Sequence, residues 1–206
     1  AIVGGGIGGL TLAIALQRKG FPVKVYEAAP AIQPLGAGLG LAANAVNAFT
    51  NIGIGDAVLR AGKVLKVLRV KNEKGQILSE TDSEKIAAKF GVINNFTIHR
   101  ADLHDVLIRE VLPDTLQLNK RLTDLEPQGD ATLLKFSDGT LSLADFVIAC
   151  DGIHSVVRKK LLPRSTPRYA GYTCWRGVID AMPDGVDPDE TSETWGPGRR
   201  FGIVPL

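Results

Sequence analysis

Cysteine is scarce in this chain. Its two copies, Cys150 and Cys174, make neither a metal-ligand spacing nor a disulfide framework. That suits a reducing compartment and points to a cytoplasmic protein with no metal site. Charge of one sign is also lacking. The formal net charge is +2, too small to argue for nucleic acid or an anionic membrane as partner. No apolar run reaches membrane-spanning length, and no signal sequence precedes the first glycines. There is no initiating Met, and only three residues precede those glycines, so the sequence is expected to be part of a longer protein. What is present is a globular balance, 45% hydrophobic and 22% charged over 206 residues, enough for one large domain or two small ones.

Glycine is concentrated at the start. "AIVGGGIGGL" contains G-x-G-x-x-G at Gly4, Gly6 and Gly9. "LTLAIALQRKG" follows with apolar residues at helical spacing, and Gly20 is placed to end the helix. "PVKVYE" reads as a second strand ending in Glu27. The unit is strand, turn, helix, strand, with an acid about twenty residues past the glycines. Gly4 permits the tight turn, Gly6 lets backbone approach a pyrophosphate, and Gly9 lets the helix pack closely on the strand. The helix N-terminus offers unpaired N–H groups to that pyrophosphate. A carboxylate at Glu27 can accept from ribose hydroxyls and would repel the extra phosphate of NADP.

An ordinary NAD domain would continue with a third parallel strand. Here "LGAGLGLAANAVNAF" sets a glycine-rich loop, with Gly36, Gly38 and Gly40, before a helix starting near Ala42. Residues 64–71, "VLKVLRVK", alternate apolar and polar; "NEKG" is a hairpin turn and "QILSET" returns. "FTIHRADLHDVLIREV" puts Arg100 at a strand-to-helix boundary, with Leu103, Leu107 and Val111 on one helix face. A cation is unfavourable at that end of the helix dipole, so Arg100 is either a solvated side chain or the partner of an anion. "LTDLEPQ", "ATLLKFS" and "TLSLA" read as a three-stranded meander turning at "GD" and "DG". "DFVIAC" reads as a buried strand that runs into "DGIHSVVR", a second turn into a helix.

With these motifs the chain resembles the class A flavoprotein monooxygenases of the para-hydroxybenzoate hydroxylase fold. The matching elements are Gly4, Gly6 and Gly9, the acid Glu27, "RADLHDVL", "CDGIHSVVR", and "YAGYTCWRGVID", which is similar to a "GY…WRG" strand. They are ordered and spread over nearly the whole chain. The family's helix often starts with Pro before the Asn, where this chain has Ala43. The family's third fingerprint, a G-D motif, is expected beyond "FGIVPL". The resemblance implies an α/β fold: a Rossmann-like FAD-binding domain with an interleaved, mainly antiparallel substrate-side sheet. The expected division is 1–64 and 99–165 for the FAD lobe, with 65–98 and 166–206 on the substrate side.

The resemblance also implies a chemistry. FAD stays bound, NADH or NADPH reduces it, and oxygen forms a flavin hydroperoxide. Its distal oxygen then goes to an aromatic or polycyclic small molecule, by hydroxylation or epoxidation. The cofactor carries the difficult step, and the protein supplies position and a dry cavity. On the family pattern Gly6, Ile7, Gly8 and Gly9 meet the pyrophosphate, and Glu27 with Ala28 meets the adenosine ribose. Arg100 approaches pyrophosphate or ribityl, Gly38 and Leu39 edge the flavin ring, and Leu122 joins the cofactor contacts. Asp151 and Gly152 lie near the pyrophosphate, although Asp151 could equally cap the following helix. His154–Ser155 reads as structural, because adjacent residues rarely orient as base and nucleophile. Lys159 and Lys160 read as a solvated helix face.

"YTCWRG" is expected to be a strand with Tyr172, Cys174 and Arg176 on one face. Arg176 is then the candidate to hold an anionic substrate or tune the flavin, or else a solvated sheet residue. Two other readings stay open: a flavin-dependent reductase of isoprenoid-type substrates, and a non-catalytic nucleotide-binding fragment.

Overall fold

Ile2 and Val3 share one short strand, point to its opposite faces, and join two different cores. The computed structural model describes residues 1–33 and 36–206. It divides the chain into two compact units, Ala1–Gln33 with Leu107–Cys174, and Pro34–Val106 with Trp175–Leu206.

In the first unit the strands Ile148–Ala149, Ile2–Val3, Val25–Tyr26 and Leu116–Gln117 lie side by side in that order, all parallel. The first strand therefore has the second in sequence on one side and the last on the other. This reversal is a topological switch point, where α/β sheets open a crevice at their carboxyl ends. Ile2 packs with Ala13 of the helix Ile7–Gln17 and with Val25. That helix buries Leu10, Ala13 and Ile14, as its spacing predicts, and closes through Gly20 N–H to Gln17 O (2.9 Å) and Phe21 N–H to Leu16 O (3.1 Å). Val3, on the other face, packs with Leu122, Leu125, Leu134, Phe136 and Val157. The first four of these belong to an antiparallel meander, Leu122–Gln128, Ala131–Phe136 and Leu141–Ala144, which forms where the alternation places it.

"DFVIAC" departs from expectation. Only Ile148–Ala149 is strand, with Ile148 39% and Phe146 81% exposed. Among the described residues this strand pairs with Ile2–Val3 alone, so it is an edge, and its apolar composition does not bury it.

In the second unit the predicted hairpin forms from Val67–Asn72 and Ile77–Asp82. Glu190–Gly196 adds parallel to Val67–Asn72, and Arg199–Ile203 adds antiparallel to that. A charge cluster pins the register: the buried Glu190 carboxylate accepts from Arg69 and from Lys71 Nζ (2.5 Å), and Arg69 Nε also reaches Glu80 Oε2 (2.6 Å). Burial alone would raise the Glu190 carboxyl, but the Lys71 and Arg69 bonds outweigh it and hold it below the usual range. A second sheet joins Gly38–Leu41, Phe96–His99 and Lys63–Val64, all antiparallel. Phe96 and Ile98 are buried there. The helix Arg100–Glu110 follows, with Leu103 and Leu107 fully buried.

"YTCWRG" does not form the expected strand. Residues 171–180 have no regular structure and are exposed, Trp175 by 92%. A strand persists only where its N–H and C=O groups find a ladder, and no described strand pairs with this segment.

Candidate functional site

The glycines of the first turn separate into two groups by what surrounds them. Gly4 sits at φ +107°, and a Cβ there would run into the Cys150 carbonyl and approach Asp151 N to 3.0 Å. The two parallel strands ending at Val3 and Ala149 come together at this point, tied by Cys150 N–H to Val3 O (2.7 Å). A Cβ on Gly9 would strike the Gly4 carbonyl oxygen. Gly5 faces Glu27, whose Cβ lies 3.0 Å from the position a Gly5 Cβ would take. The protein itself therefore requires glycine at 4 and 9, and a Cβ at 5 would crowd the Glu27 side chain. Gly6 and Gly8 are different: a Cβ on either would have nothing within 4 Å. No packing demands glycine there, so bare backbone faces open space.

Gly6 is also the N-cap of Ile7–Gln17, with no side-chain cap and no acidic residue in the first turn. The first intrahelical bond from beyond it is Leu10 N–H to Gly6 O (3.0 Å). The positive end of the helix thus opens outward without an internal anion, the arrangement that receives a phosphate.

Glu27 closes one side of this space. Its Oε2 accepts from Gly5 N–H (2.7 Å) and its Oε1 from Ala29 N–H (2.8 Å). Each oxygen retains acceptor capacity for a hydroxyl. The carboxylate therefore fixes the glycine turn as well as facing the space, a role that the sequence spacing does not announce.

Asp151 closes the other side. Its Oδ2 accepts from Val156 N–H (2.7 Å) and Val157 N–H (3.4 Å), while Ser155, the N-cap of Val156–Leu161, accepts from Arg158 N–H (2.9 Å). The capping reading of Asp151 is thus realised with Ser155 as a second cap. Asp151 Oδ1 is buried and has no partner among the described residues, an acceptor awaiting a donor. Ser155 is engaged with backbone and His154 is exposed, so the pair makes no nucleophile–base unit. The Cys150 thiol between the two turns is pushed up by burial and by the Asp151 carboxylate. It is a neutral lining group and no nucleophile at neutral pH.

These walls enclose a pocket of about 310 Å³ at the switch point. It brings together Gly4, Gly6, Glu27, Ala28, Leu122, Asp151 and Gly152 of the sequence-derived set. Ile7, Gly8 and Gly9 continue from Gly6 in the same helix. Lys120, Arg121, Cys150 and His154 also line it. Nothing in the spacing marked Lys120 and Arg121, because "NKRL" reads locally as a charged turn, whereas Cys150 and His154 lie in the "CDGIHSVVR" motif without a cofactor role having been assigned to them.

The remaining expected residues belong to the second unit. Arg100 begins its helix, with His99 Nδ1 accepting from Ala101 N–H (3.2 Å) as a cap, and its side chain lies against Gly36, whose added Cβ would meet Arg100 Cδ at 2.8 Å. Leu35, the first residue of the glycine-rich loop, lies outside the described residues. Gly38 and Leu39 stand in strand opposite His99 and Ile98, and a Cβ on Gly38 would meet Leu206 at 2.7 Å. Arg176 lies in the exposed, irregular segment.

Comparison with known proteins agrees with this geometry. The family described as an FAD binding domain matches residues 1–195. The chain is 42% identical over 205 residues to the aurachin C monooxygenase/isomerase of Stigmatella aurantiaca, covering 100% of this chain and 53% of that protein. It is 34% identical to the 3-amino-4-hydroxybenzoate 2-monooxygenase of Streptomyces cremeus, again with 100% and 53% covered. The crystal structure of Klebsiella pneumoniae HpxO complexed with FAD and uric acid superposes with a TM-score of 0.89 at 29% identity, over 99% of this chain and 52% of that one. The chain spans about half the length of these relatives.

Proposed function

The chain belongs to the FAD binding domain family, and from that premise we propose that the protein carrying it is an FAD-dependent monooxygenase. It consumes NADH or NADPH and oxygen, and hydroxylates or epoxidises an aromatic or polycyclic small molecule. The observation that carries the reading is the pair of open glycines, Gly6 and Gly8, at an uncapped helix N-terminus between Glu27 and the orphaned Asp151 Oδ1. Similarity over the whole of this chain, and over 53% of each relative, to proteins named as monooxygenases supports the activity.

The residues fit the cofactor. The backbone from Gly6 to Gly9 would receive the diphosphate, because backbone without a Cβ at Gly6 and Gly8 and helix-end N–H groups meet there. Glu27 would accept from the ribose hydroxyls, with Ala28 and Leu122 beside the adenosine. Asp151 Oδ1 would accept from a hydroxyl of the cofactor's sugar chain, with Gly152 next to it. Bound FAD supplies the electron transfer from the nicotinamide and the activation of oxygen. Gly38, Leu39, Arg100 and Arg176 remain assigned by the family resemblance alone. A cytoplasmic setting belongs to the same proposal, supported by the scarcity of cysteine, two in 206 residues.

The test is flavin absorbance of the purified protein. It is followed by NADH and NADPH oxidation across a panel of phenols and polycyclic aromatics, with mass spectrometry of products formed under isotopically labelled dioxygen. Label in one product oxygen is expected. Flavin-bound protein that reduces such compounds without incorporating label would overturn the reading.

A further inference from the structure

Charge does not balance in the pocket. Two carboxylates, Glu27 and Asp151, line it, and a bound diphosphate adds more negative charge. The Lys and Arg of its lining are Lys120 and Arg121. Lys120 is already committed. Its Nζ donates to Asp138 Oδ2 (2.6 Å) and Thr140 Oγ1 (2.8 Å), and it holds the Asp138 carboxyl well below the usual range.

Arg121 is in a different state. Its backbone is fixed: the preceding Lys120 N–H donates to Glu27 O (2.8 Å), its own C=O accepts from Ser137 N–H (2.9 Å), and the next residue, Leu122, is buried in the core. Its side chain is exposed, and the guanidinium makes no hydrogen bond or ion pair among the described residues. A cation has a fixed root at the pocket rim, beside the backbone of Glu27, and an uncommitted head.

We propose that Arg121 is a counter-cation for the cofactor diphosphate, a binding residue additional to the glycine turn and to the Arg100 that the family resemblance assigns to pyrophosphate or ribityl; this rests on reading the pocket as the FAD site. Helix-end N–H groups carry only partial charge, so two carboxylates and a diphosphate call for a full positive charge. A guanidinium fork matches phosphate oxygens two at a time, and it remains charged at any working pH.

The experiment is a flavin-fluorescence titration of the apoprotein with FAD, at low and high salt, for wild type, Arg121→Gln and Arg121→Lys. Thermal melts of the apoproteins accompany it. Arg121→Gln is expected to weaken FAD about tenfold at low salt. It should also flatten the salt dependence, because the lost attraction is the screened one. Arg121→Lys should keep the salt dependence with a smaller loss. The melting temperature of apo Arg121→Gln should equal that of wild type. Equal FAD affinity for Arg121→Gln and wild type would overturn the proposal, as would weaker affinity with an unchanged salt dependence. Wild-type protein that takes up no FAD would overturn the pocket reading and this proposal with it.

Discussion

Replacing Glu27 by Gln removes one negative charge and reverses one hydrogen bond. In the native turn each carboxylate oxygen accepts a backbone N–H, from Gly5 at 2.7 Å and from Ala29 at 2.8 Å. A Gln keeps one acceptor oxygen, and its NH₂ must face the other N–H, donor against donor. Hydrogen bonds to charged groups contribute about 1.5–3 kcal/mol each, and this group is only half-buried, so the lower end applies. Loss of one such bond, about 1.5 kcal/mol, should lower the melting temperature of the apoprotein by roughly 3–6 °C, at about 2–4 °C per kcal/mol for a chain of this size. FAD should bind about tenfold more weakly or worse, because the turn that must approach the diphosphate has shifted and a ribose acceptor is lost. The assay is a melt of the apoprotein paired with a flavin titration. A side chain that served the ribose alone would weaken FAD and leave the melt unchanged. Unchanged melting together with unchanged affinity would refute both roles of Glu27.

Two further outcomes can be measured. The Glu190 carboxyl is held below its ordinary range by Lys71 and Arg69, so it binds fewer protons folded than unfolded near pH 4. Its contribution is therefore present above the ordinary carboxylate pKa and is lost as pH falls through the folded value. Urea unfolding followed from pH 7 to pH 3 should show an acid-side loss of stability that is shallower in Glu190→Gln; identical acid limbs would remove Glu190 from that loss. The Cys150 thiol is raised by burial and by Asp151, whereas Cys174 is exposed. Iodoacetamide at neutral pH should label Cys174 well before Cys150, and mass spectrometry showing the reverse order would contradict the burial assigned to Cys150.

Local chemistry made the first turn legible. The glycine spacing, the helical period of Leu10, Ala13 and Ile14, and the strand ending at Glu27 all lie within thirty residues. The meander and the hairpin were equally legible, since alternation and turn residues are short-range signals. Contacts between distant residues were not. That Arg121 and Asp151 stand around one pocket with Glu27, 94 and 124 positions earlier in the chain (121 − 27 and 151 − 27), depends on distant segments being brought to one sheet end; no period encodes that. "DFVIAC" and "YTCWRG" show the limit from the other side. Their composition suits strands, but burial and pairing come from neighbours, and the described neighbours leave one at an edge and the other irregular.

Gly6 is glycine for a ligand, and Gly9 is glycine for the fold. Gly6 lies at φ −74°, a conformation any residue adopts, and an added Cβ meets nothing within 4 Å. Gly6→Ala should therefore leave the apoprotein's melting temperature unchanged. The methyl would occupy the space of the diphosphate, and overpacking of that kind costs about 1–3 kcal/mol, or roughly fivefold to 150-fold in affinity. Gly9→Ala, whose Cβ would strike the Gly4 carbonyl, should instead lower the melting temperature of the apoprotein. The decisive measurement is the FAD dissociation constant of Gly6→Ala beside its apo melt. A native melt with FAD binding weakened at least about fivefold is the expected result. A native melt with wild-type FAD affinity would contradict the assignment of this pocket to the cofactor.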